Sequence, residues 1–127
     1  MSDAVAAALG TLLLLAMMSG WPQRDTHDHR PREGGIVTEI DGTDYELVIT
    51  PDSATLFARE GGKPIDISAA AATLTLTRGT ERVRVAMSPV GGERLQARGN
   101  YRAAPGSVFI VMVTRPGRAS STIRYAF

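Results

Sequence analysis

Not one of the 127 residues is cysteine, which excludes a disulfide framework, a thiolate zinc site, a thiol nucleophile and a thioether-linked lipid anchor. Aromatic residues make up only 6% and fall at core-type positions, so there is no platform for stacking nucleic-acid bases. Neither charge sign is in excess: 14 Lys and Arg stand against 13 Asp and Glu. No segment after residue 35 keeps a 3.6-residue apolar period, so nothing longer than a helical turn is expected there. What is present, 43% hydrophobic and 21% charged residues, is the composition of one folded domain of about 100 residues rather than of a disordered chain.

A single long apolar run stands near the start. From Ala4 to Met18 there are fifteen residues without a charge, the length of a signal-peptide apolar region and short of the about 20 that a membrane span needs. Met1-Ser2-Asp3 lacks the usual basic residue, and no A-x-A site sits directly before Trp21. Residues 1–21 are therefore expected to be an apolar helical segment, either a signal peptide or an uncleaved N-terminal anchor. This places the protein in the periplasm or cell envelope, with membrane contact confined to residues 4–21. A stretch apolar on all sides fits a cytosolic helix packed on a small β-domain poorly, because such a helix keeps a polar face.

Residues 22–34 read as a polar linker. They carry two prolines, both histidines of the chain and no aliphatic side chain, which predicts an extended, solvated tether. From residue 35 the period becomes that of strands, over Ile36–Ile40, Tyr45–Ile49, Ala54–Ala58, Ala72–Thr77, Arg82–Met87, Ser107–Val113 and Ser121–Phe127. Leu74 and Leu76 alternate with threonines, and Val83, Val85 and Met87 alternate with Arg82, Arg84 and Ala86, so each of these strands has a wet and a dry face. They should pair as a hairpin around Arg78–Glu81, and Asp41–Asp44 supplies a second turn in which Gly42 takes positive φ. Val108–Val113 is apolar on both sides and is expected to lie centrally, covered on each face. Ile67–Ala72 and Leu95–Tyr101 each have room for one helical turn. Ile123, Tyr125 and Phe127 point one way, which should pin the C-terminus in the core. The expected fold is all-β: a single antiparallel β-sandwich over residues 35–127, with about seven strands, Ig-like or a small open barrel.

Residues 29–127 resemble a small domain found on the periplasmic side of heavy-metal efflux systems, alone or fused to membrane-fusion adaptor subunits. The resemblance is carried by the His-containing approach to Gly34-Gly35-Ile36-Val37, by Tyr45-Glu46-Leu47-Val48-Ile49, by Gly62-Lys63-Pro64-Ile65-Asp66 and the alanines after it, by Met87–Ala97 and by the aromatic final strand. It implies an exported β-sandwich associated with metal handling. The Met-rich or His-rich tract of a metal chaperone is absent.

His27, Asp28 and His29 place two imidazoles and a carboxylate within three residues, with Glu33 four residues on. Such nitrogen and oxygen donors suit Cu(II), Zn(II) or Ni(II). Against this stands the ordinary polar linker, which must be ordered on binding and lacks partners to orient its histidines. Met87 and Met112 would suit Cu(I) if their strands were neighbours and both side chains faced outward, but Met87 shares the dry face of Val83 and Val85 and reads as core. Charge is divided along the chain: residues 25–66 hold ten acids and four bases, whereas residues 78–127 hold nine arginines and only Glu81 and Glu93. This is either an anion-binding surface on Arg82, Arg84 and Arg124 or, as the near-neutral total favours, acidic and basic strands that neutralise each other side by side.

Catalysis is not expected. The histidines sit on the linker, away from the serines of the domain. The carboxylates Asp41, Asp44 and Glu46 read as turn and strand-surface residues, and Gly61-Gly62 and Gly91-Gly92 are turn glycines that begin no helix and so cradle no phosphate. The leading expectation is a non-enzymatic envelope protein associated with heavy-metal efflux or tolerance, which contacts metal through His27, Asp28 and His29 and has an efflux-system or other envelope protein as its partner. One alternative is a metal-independent interaction module docking through a sheet edge or the 88–106 loop. Another is an arginine-face binder of anionic ligands. Nucleic acid is not expected as a partner.

Overall fold

The computed structural model describes residues 29–127, which form an all-antiparallel β structure. Nine strands follow in chain order: β1 Ile36–Ile40, β2 Thr43–Thr50, β3 Ser53–Glu60, β4 Lys63–Pro64, β5 Ala71–Arg78, β6 Glu81–Val90, β7 Arg94–Arg98, β8 Val108–Thr114 and β9 Ser121–Ala126. Their spatial order is β1-β2-β3-β7-β6-β5-β8-β9, with β4 pairing β3 off this path. The expected N-terminal helix, together with His27 and Asp28, lies outside the described residues.

Turn chemistry sets the registers. The β1–β2 loop is only Asp41-Gly42, with φ of 51° and 81°, the double positive φ of a type I′ hairpin turn that matches strand twist. This two-residue loop puts Ile40 opposite Thr43, Glu39 opposite Asp44 and Val37 opposite Glu46. The β5–β6 hairpin turns at Gly79-Thr80 as expected, with Arg78 opposite Glu81 and Leu76 opposite Val83.

β6 is the corner of the fold. Its first part pairs β5 as far as Met87 opposite Ala72, and from Ser88 onward it pairs β7 instead. One ten-residue strand thereby joins the β5-β8-β9 side to the β1-β2-β3-β7 side. The rolled sheet brings its two ends together, β1 beside β9. No backbone ladder closes that seam. Instead the Tyr125 hydroxyl donates to the Tyr45 carbonyl at 2.9 Å. The architecture is a nearly closed barrel.

Inward-facing side chains of seven strands fill the interior. Leu47, Leu56, Leu74, Leu95, Phe109 and Val111 have no exposed surface, and burial of each side chain of this size is worth about 1.5–3 kcal/mol. Met87 is buried among them, as the alternation predicts. The C-terminus is pinned as expected: Tyr125 is buried, Phe127 stacks edge-on against Phe109 at 5.2 Å, and the Phe127 N–H donates to the Ser107 carbonyl.

Several expectations are corrected. Nine strands stand where seven were expected. Leu95–Tyr101 holds no helical turn: Arg94–Arg98 is strand β7, paired to β3 and β6, which also removes the long 88–106 loop. Ile67–Ala70 is a β-turn closed by the Ala70 N–H on the Ile67 carbonyl. β8 lies between β5 and β9 but is covered on one face only, with Met112 47% exposed.

Candidate functional site

Three carboxylates decorate the outer face of the β1–β2 hairpin. Because Glu39 stands opposite Asp44 and Val37 opposite Glu46, Glu39, Asp44 and Glu46 share one face, with Tyr45 and Leu47 turned to the core on the other. Arg59 joins them from β3, directly opposite Asp44. A bare face of this kind would leave its acids in water. Here residues 29–35 cross it as a strap, and Asp44, Glu46 and Arg59 are all buried beneath.

Glu46 is the buckle of that strap. Its Oε1 accepts from the Arg32 N–H at 3.0 Å, and its Oε2 accepts from the N–H groups of Glu33 at 2.9 Å and Gly35 at 2.8 Å. The Arg59 guanidinium donates to Oε1 at 3.0 Å and reaches the Arg30 carbonyl with its other terminal nitrogen. Burial alone would push this carboxyl up; the N–H donors of Arg32 and Gly35, the Arg59 guanidinium and the Glu33 N–H outweigh it and hold the group below its ordinary value of 4.5. A charged carboxylate with no exposed surface is sustainable because cation and amide donors replace its water. Gly35 is required by the close approach: a Cβ there would run into the Leu47 carbonyl and the Val48 side chain. Residues 29–35 are therefore held against the domain by their backbone, while residues 29–34 stay exposed to solvent.

The strap delivers His29 to the two remaining acids. Its Nδ1 lies 2.8 Å from both carboxylate oxygens of Asp44 and 3.8 Å from Oε2 of Glu39. His29 and Glu39 are exposed, while Asp44 is 3% exposed. One ligand atom from each residue falls within 4.8 Å of the others. Like charges directly opposite on adjacent strands repel, and an imidazole or a metal cation between Glu39 and Asp44 relieves that repulsion. The 2.8 Å contact of Nδ1 with Asp44 is a hydrogen bond; donors at about 2.0–2.1 Å around a tetrahedral cation stand about 3.3 Å apart, so a cation bound here would replace that bond.

Of the three ligands expected from the sequence, His29 alone lies among the described residues; Glu39 and Asp44 stand beside it, and Glu33 contributes its backbone N–H to Glu46. Asp44 and Glu39 were legible as a pair only through the two-residue Asp-Gly loop, which fixes their register. Met87 and Met112 form no soft site, since one is buried in the core and the other is exposed on the outer face of β8.

Charge elsewhere divides into paired and unpaired arginines. Arg115 donates to Glu60 at 3.0 Å and to the Thr43 hydroxyl at 3.3 Å across the barrel end, and this contact, stronger than the carboxyl's slight burial, holds Glu60 below its ordinary value. The expected neutralisation by acidic neighbours occurs on β5 and β6 at Arg78, which pairs with Glu81 at 2.7 Å, but does not extend to Arg82, Arg84 and Arg124. Arg82 faces Thr77, Arg84 faces Thr75 and Arg124 faces Ile110. None of the three has an ion pair among the described residues.

No helix among the described residues is long and apolar enough to cross a membrane. No protein-family model matches the chain, and no curated protein matches it. Among solved structures it is similar to the crystal structure of a DUF4426 family protein from Pseudomonas aeruginosa PAO1, with a TM-score of 0.55 and 17% identity over 71% of this chain and 92% of that one. At that identity the likeness is one of fold, a small β-rich domain shared by two divergent sequences.

Proposed function

We propose that the protein is a non-enzymatic cell-envelope protein that holds a divalent transition-metal ion at His29, Glu39 and Asp44, in service of heavy-metal efflux or tolerance. The observation that carries the metal contact is the convergence of the His29 imidazole on two opposed carboxylates. One imidazole and two carboxylates balance the charge of a dication and suit Zn(II), Ni(II) or Cu(II) better than soft Cu(I). Glu46 and Arg59 act as positioning residues, because they fix the strap that carries His29. Envelope location and the efflux setting rest on the apolar Ala4–Met18 run and on the resemblance of residues 29–127 to the periplasmic domains of efflux systems.

Calorimetric titration of the full chain with Zn(II), Ni(II) and Cu(II) tests the reading. Micromolar binding that Asp44→Asn and His29→Ala each abolish, and that His27→Ala leaves in place, supports it. Binding that depends on His27 but not on Asp44 returns the contact to the segment before the strap. Absence of binding overturns the metal role.

A further inference from the structure

Beyond the strap site, the outer face of β6, β5, β8 and β9 has a chemistry of its own. Strand alternation and register lay three rows across it: Arg82, Thr77, Val108 and Ala126; Arg84, Thr75, Ile110 and Arg124; Ala86, Thr73, Met112 and Thr122. There is no carboxylate in any row. Glu81, at the hairpin end, points to the opposite side and is held by Arg78 at 2.7 Å. Three exposed arginines, without acidic partners among the described residues, therefore frame an apolar strip, Ile110 and the 47% exposed Met112, above a ladder of threonine hydroxyls. The opposite face of the molecule, under residues 29–35, has the reverse arrangement, with each buried acid matched to an internal donor.

We propose that this arginine–threonine face seats against an anionic phospholipid surface, with Arg82, Arg84 and Arg124 on headgroup phosphates and Met112 and Ile110 at the acyl boundary. Two observations select lipid over a soluble polyanion. The apolar strip lies between the cationic side chains, an order that matches an interface with charge at the level of the headgroups and hydrocarbon just beneath. The uncharged Ala4–Met18 run ends only ten residues before His29, and ten residues reach at most about 35 Å. A bilayer that holds that run keeps the domain within one molecular diameter of its surface, where three arginines without partners find a high local concentration of phosphate.

The lack of cysteine makes a site-specific probe simple. An environment-sensitive fluorophore is placed on Met112→Cys in the full chain, with Glu93→Cys as a control on the β6–β7 turn, and each is mixed with phosphatidylglycerol or phosphatidylcholine vesicles. The expected result is a blue shift of the Met112 probe with phosphatidylglycerol alone, weakened by added salt, with no shift of the Glu93 probe. Replacing Arg82, Arg84 and Arg124 by Gln should weaken the phosphatidylglycerol-specific binding by about fivefold per arginine, on the order of a hundredfold for the three. A triple variant that binds as tightly as the parent overturns the proposal, as does an equal shift with both lipids. A Met112 probe that responds to soluble polyphosphate and not to phosphatidylglycerol vesicles overturns lipid as the occupant. Metal titration of the same triple variant separates this face from the His29 site, whose binding it should leave unchanged.

Discussion

The two outer faces of the barrel begin from the same strand alternation and end differently. On the β1–β2–β3 face, acids and an arginine in register are covered by residues 29–35; each buried carboxylate finds a donor, and of the Arg59 nitrogens only Nε is left without an acceptor. On the β6–β5–β8–β9 face, arginines in register meet threonine and isoleucine, and nothing among the described residues covers them. Composition does not distinguish the two faces, since both are polar and charged; pairing does. A buried charge is tolerable when matched within the chain, so the first face is finished internally, whereas the second offers unmatched donors to something outside.

The seam that holds both faces in one barrel should be the most sensitive point. Deleting Tyr125–Phe127 removes the Tyr125–Tyr45 hydrogen bond and two aromatic rings from the core, and the expected outcome is loss of the cooperative melting transition by circular dichroism. Persistence of the parent melting curve would refute the assignment of these residues to the core. Next in size, Glu46→Ala leaves Arg59 buried without its partner and three strap N–H groups without an acceptor, a loss of about 3–5 kcal/mol measurable by urea denaturation. A change below about 1 kcal/mol would mean that the strap does not depend on its buckle.

Two methionines sharpen the contrast between inside and outside. Met87→Ala should cost about 2–5 kcal/mol because it opens a cavity, whereas Met112→Ala, on the open face, should stay within about 0.5–1 kcal/mol. Acid should act on the covered face first. The folded Glu46 carboxyl titrates below its ordinary value of 4.5, so its stabilising contribution is complete above about pH 4.5 and is lost as the pH falls through the lower folded value. Urea midpoints between pH 7 and pH 3 should fall for the parent and fall less for Glu46→Gln, which starts lower; parallel curves would exclude Glu46 as a source of the acid sensitivity. The smallest effect belongs to Arg84→Gln, within about 0.5 kcal/mol in stability, because no hydrogen bond or ion pair among the described residues depends on it. A larger loss would reveal a partner for Arg84 and close the open face.

Much of this fold is legible in the sequence. The alternation in Leu74, Leu76, Val85 and Met87 and the Asp41-Gly42 loop specify strands, faces and register from local chemistry, whereas Val83, expected on the dry face, is 38% exposed beside the hairpin tip. β7 is not legible in this way: only Leu95 and Ala97 alternate between arginines and a glutamine, and what makes the segment a strand is its position between β3 and β6, with Leu95 opposite Leu56 and Pro89. The strap is hidden for a different reason. Its residues are polar, and the interaction that orders them is made by backbone N–H groups to a carboxylate 11–14 positions away. Glu46 itself reads as a surface residue by alternation, and becomes fully buried because another segment lies over it. His29 was found as a donor; Asp44, read as a turn residue, needed the register to become its partner.

The most direct test of the account is a map of the metal contact at residue resolution. Substoichiometric Cu(II) added to the ¹⁵N-labelled full chain broadens amide signals near the bound ion. The account predicts loss of signal at His29 and around Glu39 and Asp44, with Thr73–Thr77 and Ile110–Met112 on the opposite face left sharp, and the broadening abolished by Asp44→Asn. Broadening confined to the residues before His29, or spread without preference over the barrel, would contradict it.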